Sequence, residues 1–130
     1  MPLHTHDIVA VQQIAARYNH ALDAGDGDAF AALFLSDGEL DTGDIIIKGR
    51  ARLAEFARSV GERPDHIRHV LTDVLVDGDE KTAYLRAYLR VTVRSDSSGP
   101  RTEVSSGSYH CRLEKVDGEW RFAKRTYAAD

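Results

Sequence analysis

The chain has 130 residues, 42% of them hydrophobic and 29% charged, with 17 Lys and Arg against 21 Asp and Glu and a net charge of −4. These figures fit one globular domain over residues 1–130 and exclude a disordered chain, because apolar content is ordinary and the charge imbalance is small. The longest strongly apolar runs, such as Ile45-Ile46-Ile47 and Val74-Leu75-Val76, fall far short of the roughly 20 residues a membrane helix needs, and the acidic balance disfavours a nucleic-acid binder, which needs a basic face to displace counterions.

The first half of the chain reads as helical. Ile8, Val11, Ala15, Tyr18 and Leu22 follow helical spacing, so a first helix is expected from about Asp7 to Ala24, with Asp7 as N-cap or first-turn acid and Gly25 as its stop. Asp26 is placed to cap a short second helix that buries Phe30, Leu33 and Phe34 and ends at Asp37-Gly38. Glu39 to Ile47 reads as extended, broken at Thr42-Gly43-Asp44. A third helix is expected over Arg50 to Val60, with Leu53, Phe56, Ala57 and Val60 as its apolar stripe.

After Pro64 the hydrophobic period changes to two. Strands are expected over His66 to Asp77, Thr82 to Arg94, Glu103 to Val116 and Glu119 to Tyr127, with Asp77-Gly78 and Asp117-Gly118 as hairpin signals. In the second of these strands Ala83, Leu85, Ala87, Leu89, Val91 and Val93 share one face, and Tyr84, Arg86, Tyr88 and Arg90 lie on the other. Short turns between successive strands imply an antiparallel meander that buries one face under the three helices. The class is therefore α+β, a curved, mostly antiparallel sheet wrapped over N-terminal helices.

Arg17-Tyr18-Asn19-His20-Ala21-Leu22-Asp23-Ala24-Gly25-Asp26 resembles the first-helix signature of the SnoaL-like group in the nuclear-transport-factor-2-like (NTF2-like) superfamily of cone-shaped α+β barrels. Gly49-Arg50 before the third helix, Arg68-His69 early in the first long strand, and Asp117-Gly118-Glu119-Trp120-Arg121-Phe122 leading the last strand agree with it, so the resemblance runs from about residue 7 to 127. The superfamily contains lyases, isomerases, hydrolases, cyclases and plain binding modules, so the fold alone leaves the activity open. In the scytalone dehydratase and hexachlorocyclohexane dehydrochlorinase lyases, an aspartate late in the first helix orients a histidine that removes a substrate proton. The matching positions are Asp23 and His69. The bile-acid dehydratase of the group adds a first-helix tyrosine, matched by Tyr18. Two departures stand out. Ala87 falls near the second histidine of scytalone dehydratase, and Thr42 falls where that enzyme has a further tyrosine.

The resemblance implies a small cofactor-independent lyase of the dehydratase type, or an isomerase, acting on a small apolar or ring-shaped substrate. An imidazole titrates near neutrality, and a carboxylate on one ring nitrogen fixes its tautomer and stabilises the imidazolium. His69 is then the base, Asp23 its orienter and Tyr18 a donor to a substrate oxygen; no metal or other cofactor is required. Structural readings stand beside these: a helix-end bond for Asp23, a satisfied core position for His69, packing with a bonded hydroxyl for Tyr18. Asp73 shares the His69 strand face if the strand is regular, and a β-bulge would change that. Arg125 and Tyr127 share one face of the last strand, at the pocket mouth or against solvent. These three are the candidate substrate-binding residues. His66 and His69 are three apart on a strand, which sends them to opposite faces and argues against joint metal ligation.

Cys111 is the only cysteine, so an intramolecular disulfide is excluded, and residues 1–7 carry neither a basic patch nor an apolar core of a secretory signal. A cytoplasmic location is the expectation. The outward Tyr and Arg residues of the second long strand are of the types enriched at interfaces, and members of the superfamily commonly dimerise through the outer sheet, so a homodimer is expected. A non-catalytic binding or accessory module on the same fold is the alternative function.

Overall fold

The structure, a computed structural model, describes residues 2–96 and 98–130. Helices α1 (Thr5–Ala24) and α2 (Gly27–Ala32) are followed by strands β1 (Phe34–Asp41) and β2 (Ile46–Lys48), helix α3 (Arg50–Gly61), and four long strands: β3 (His66–Gly78), β4 (Thr82–Arg94), β5 (Thr102–Val116) and β6 (Glu119–Ala129). The six strands form one sheet in the order β2-β1-β6-β5-β4-β3. Every pair is antiparallel except β1–β6, which is parallel. This is the α+β cone expected from the sequence.

Helix α1 buries Val11, Ala15, Tyr18 and Leu22 of the stripe its spacing predicts, with Ile14 beside them, while Ile8 is half-buried. It stops at Gly25, whose φ of 69° is left-handed and whose N–H bonds the Leu22 carbonyl. A Cβ at Gly25 would lie 2.6 Å from the Gly61 Cα, so the ends of α1 and α3 meet backbone to backbone. Asp26 caps α2 by accepting from the Ala29 N–H at 3.1 Å. Asp7 sits in the first turn of α1, while His4 occupies the N-cap without a side-chain bond. The buried Asp7 carboxylate accepts from Trp120 Nε1 at 3.0 Å and Lys115 Nζ at 3.1 Å, fastening the start of α1 to the β5–β6 hairpin.

The second helix ends earlier than expected. It stops at Ala32, and Phe34 to Asp41 is strand β1, with Asp37-Gly38 inside it. Gly38 marks an irregularity in the register with β6, where a Cβ would crowd Phe34 and the Phe122 carbonyl; glycine in a strand often signals such a close approach. Arg50, at the start of α3, grips the Phe34 carbonyl through Nε and Nη2 at 3.0 and 2.7 Å, which gives the Gly49-Arg50 motif a structural task.

The β4 pattern is as read: Ala83, Leu85, Ala87, Leu89 and Val91 are buried, and Tyr84 and Tyr88 are 52% and 59% exposed. The Asp117-Gly118 turn has positive φ at both residues, 53° and 80°, as a type I′ hairpin demands. Departures from strict alternation in β3 and β6 decide where candidate site residues fall. In β3 the register with β4 shifts between Thr72 and Leu75, and Asp73 takes φ 56°. Leu75 is thereby turned outward and 57% exposed, where a regular strand would put it on the face of His69. In β6 the register with β5 jumps from Arg112–Lys124 to Leu113–Phe122, leaving Ala123 as an extra residue. Arg125 then falls on the same inward face as Phe122.

Candidate active site

Strand β3 is the sheet edge opposite β2, and the C-terminal part of α1 runs along it. His69 pairs with Val91 and Leu71 with Leu89, residues of the buried β4 face, so His69 projects to the inner side. Asp23, on the last turn of α1, reaches the same point. Its Oδ1 lies 2.6 Å from His69 Nδ1, and both its oxygens accept the His69 backbone N–H at 3.2 Å. The side chains are 10% (Asp23) and 11% (His69) exposed. An ionised carboxylate only accepts, so the bond to Nδ1 assigns the proton of a neutral imidazole to that nitrogen. Nε2 is left with its lone pair free and has no hydrogen-bond partner among the described residues. That is the protonation state a general base requires.

The pair lies in the wall of a cleft of about 680 Å³ between α1 and β3, together with Ala15, Asn19, His66, Leu71 and Val74. The cleft is mixed: alanine and branched aliphatic side chains with a few polar groups. Asn19 stands one turn before Asp23 on α1, and its buried Oδ1 has no partner. Sequence reasoning assigned Asn19 no role of its own. The available signal was a carboxamide within a helical stripe that is otherwise apolar. His66 and His69 both line the cleft although they are three apart, because the cleft follows the strand edge and not one face. Among the described residues no group of three or more His, Cys, Asp or Glu side chains is placed to hold a metal.

Tyr18 does not line this cleft. It is buried in an aromatic cluster with Phe30 (centroids 4.8 Å apart), Phe122 (5.8 Å), Tyr109 and Phe34. Burial, reinforced by Tyr109, pushes its hydroxyl well above the usual phenol range, so it stays protonated. Arg125 is neither at a pocket mouth nor in solvent. It is fully buried, with its guanidinium carbon 4.0 Å from the Tyr18 centroid and 3.7 Å from that of Tyr109. Nη1 donates to Cys111 Sγ at 3.4 Å, while Nε and Nη2 have no partner, and no carboxylate pairs with it among the described residues. A buried cation without a counter-ion is costly, and ring faces compensate it only in part.

The other two candidates lie elsewhere. Asp73 occupies the β3 bulge and is exposed; it does not join His69 in the first cleft but lines a smaller one of about 330 Å³ with Leu75, Arg86, Tyr88, Tyr109 and His110. The bulge is the cause, since it reverses the side of the strand on which Asp73 would regularly fall. Val74 borders both clefts, and Tyr109 links the smaller one to Arg125. Tyr127 is half-buried, its hydroxyl 2.5 Å from Ser105 Oγ and its ring tilted against Tyr109 with centroids 5.5 Å apart.

Comparison with known proteins places the chain in a family. No protein of curated function matches the chain. Among solved structures, a protein of unknown function from Mycobacterium tuberculosis is 34% identical, with a TM-score of 0.87 over 96% of this chain and 72% of its own. Aln2 from a Streptomyces species is 25% identical, with a TM-score of 0.87 over 98% of this chain and 93% of its own. A protein provisionally described as a scytalone dehydratase, from Novosphingobium aromaticivorans, shares the fold at 23% identity, with a TM-score of 0.83 over 96% of this chain and 85% of its own. The family of SnoaL-like domains matches residues 4–126, and the chain belongs to that family.

Proposed function

We propose that the protein is a cofactor-independent lyase of the dehydratase type, or an isomerase, in which His69 is the general base and Asp23 holds it. The observation that carries this reading is the 2.6 Å contact between Asp23 Oδ1 and His69 Nδ1 in the wall of a cleft. Nε2 takes a proton from a carbon next to a carbonyl. The electron pair left behind either expels a leaving group from the adjacent carbon, giving a double bond and water, or is reprotonated at another carbon. The imidazolium formed is stabilised by the Asp23 carboxylate, and it returns its proton to the departing hydroxide or to the new carbon. A small apolar or ring-shaped substrate suits the Ala15, Leu71 and Val74 walls.

The developing oxyanion needs donors. Arg125, with Nε and Nη2 unpaired, and the protonated Tyr18, whose ring packs on the same guanidinium, are the buried donor set of this proposal, outside the residues that line the His69 cleft. Asp73 lines the smaller cleft with Tyr109, on which the Arg125 guanidinium packs, and Tyr127 lies against Tyr109. A dehydration screen over cyclic β-hydroxy ketones, run on the wild type and His69→Ala, tests the reading. Turnover in the wild type and its loss in a folded His69→Ala variant are expected; equal turnover in both removes His69 from the mechanism.

Binding without turnover is the second reading. It is favoured by one contact, the Asp23 carboxylate on the His69 backbone N–H, which satisfies an edge-strand amide whether or not the ring works. Ligand binding with no product across the screen selects it. In either reading the outward Tyr84, Arg86, Tyr88 and Arg90 side chains, all exposed, are proposed as the homodimer face.

A further inference from the structure

Asp7, Asn19 and Arg125 are polar or charged yet buried. Trp120 and Lys115 hold Asp7, and Arg125 stacks on Tyr18 and Tyr109. Asn19 differs from both. It is 9% exposed, and its Oδ1 is buried without a hydrogen-bond partner. The fold does not ask for this residue. Asparagine is a poorer helix former than alanine, and Ala15 and Ala16 fill the preceding turn of the same wall. A buried acceptor without a donor is a net loss to the folded state.

Asn19 faces the cleft that holds the base. It stands four residues before Asp23, and side chains so spaced leave the same helix face with Cβ atoms about 6 Å apart. Asp23 in turn holds His69 Nδ1. An unused acceptor therefore lies one helical turn from the residue that orients the base, in the same cleft wall. Gln12 and His20 also line the cleft, but both are exposed, so water can satisfy them.

A dehydration has a use for such an acceptor. The departing oxygen takes a proton from the His69 imidazolium, so Nε2 is a donor at that moment and cannot also receive the hydrogen that the hydroxyl already carries. That hydrogen needs an acceptor of its own. We propose that Asn19 is a specificity-determining residue: its Oδ1 accepts the hydroxyl hydrogen of a substrate whose hydroxyl sits on the carbon next to the one that loses a proton. Rotation of the carboxamide about its soft terminal torsion brings the oxygen to the cleft. The carbon–hydrogen bond and the neighbouring carbon–oxygen bond break, and a carbon–carbon double bond forms. Water leaves with the hydrogen that Asn19 held and the proton that His69 carried. An isomerisation has no departing hydroxyl to hold, so Asn19 selects the dehydration branch of the catalytic reading, on which the proposal rests.

The test is an NMR titration of full-length His69→Ala, which lacks the base, with 3-hydroxycyclohexanone and with 3-methylcyclohexanone, whose methyl group matches the hydroxyl in size. Saturable amide shifts at residues 15–23 and 66–74 are expected, with the hydroxyketone bound about tenfold tighter, the worth of one hydrogen bond. Adding Asn19→Leu should abolish or reverse that preference while the melting temperature holds or rises, because an orphan acceptor gives way to an apolar group; Asn19→Ala serves the same end if the leucine variant does not fold. Asn19→Asp keeps an acceptor in place and should keep the preference. A preference that survives Asn19→Leu, or no saturable binding of the hydroxyketone, overturns the proposal. Loss of preference in Asn19→Asp gives the contact to the amide N–H and overturns the role of Oδ1. A marked fall in melting temperature in Asn19→Leu makes the residue structural. Binding is read without the base, so failure of His69 in the dehydration screen is a separate result.

Discussion

Asp23 holds His69 twice, through the ring Nδ1 at 2.6 Å and through the backbone N–H at 3.2 Å. The two bonds have different consequences. The ring bond sets a tautomer and a charge; the backbone bond closes the open edge of β3. Asp23→Asn retains an oxygen that can accept one of them but removes the negative charge. Its folded stability should stay within about 1 kcal/mol of wild type, while turnover on a substrate found by the screen should fall roughly 10²–10⁴-fold. Asp23→Ala loses both bonds and should also lower stability by about 1–3 kcal/mol. Thermal unfolding and steady-state kinetics on the two variants separate the tasks. Equal kinetics in Asp23→Asn and wild type would show that only the backbone bond matters.

Arg125 offers a contrasting case, since its contacts in the interior are with rings and a thiol and two of its donors are idle. Replacing a buried charge by an apolar chain of similar length is often neutral or stabilising, by up to a few kcal/mol. Arg125→Met should therefore raise or preserve the melting temperature and abolish turnover or ligand binding. A marked fall in melting temperature would show instead that stacking on Tyr18 and Tyr109 repays the burial of the cation, and that the residue is structural.

The elements themselves were legible because long segments keep one period: 3.6 in α1 and α3, two in β4. The ends of β3, β4, β5 and β6 fall within two residues of the sequence reading. What strict periodicity misses are the places where one extra residue reverses a face. Asp73 in β3 and Ala123 in β6 are such residues, and they decide that Asp73 leaves the His69 cleft and that Arg125 turns inward. Neither is a glycine, so composition gave no warning. Asp23 and His69 are 46 positions apart, and no local pattern connects them; the family resemblance alone suggested the pairing.

Asp7 predicts how the fold responds to acid. Burial would raise its carboxyl, but the hydrogen bonds from Trp120 and Lys115 and the Lys115 charge prevail and hold it below the ordinary carboxylate value. A folded pKa below the unfolded one means that the stabilisation is present above the unfolded value and is lost as pH falls through the folded one. Wild-type stability should therefore drop below about pH 4. Asp7→Ala should cost about 2–3 kcal/mol at neutral pH, leaving the Trp120 N–H unpaired, and should flatten that acid-side slope. Denaturant midpoints at pH 3 to 7 measure both effects. A slope unchanged in Asp7→Ala would assign the acid sensitivity to other carboxylates.

The outer face of β4 carries the last prediction. Tyr84 and Tyr88 are more than half exposed, and Arg86 and Arg90 alternate with them. Arg90 pairs with Glu103 on β5, which offsets part of the positive charge. Tyrosine supplies contact area at low entropic cost and arginine stacks and bonds, so a second copy of the same face, related by a two-fold axis, fits this composition. The wild type should elute and scatter light at twice its 14.4 kDa mass. Tyr88→Glu sets a carboxylate against its own copy near the centre of that face and should shift the population to monomer by roughly tenfold or more in dissociation constant, as for a hot-spot aromatic. Because Tyr88 points away from the Asp23–His69 cleft, the variant should keep the wild-type melting behaviour once dilution is taken into account. A wild type that is monomeric at high micromolar concentration removes the interface, and a dimer untouched by Tyr88→Glu moves it to another face.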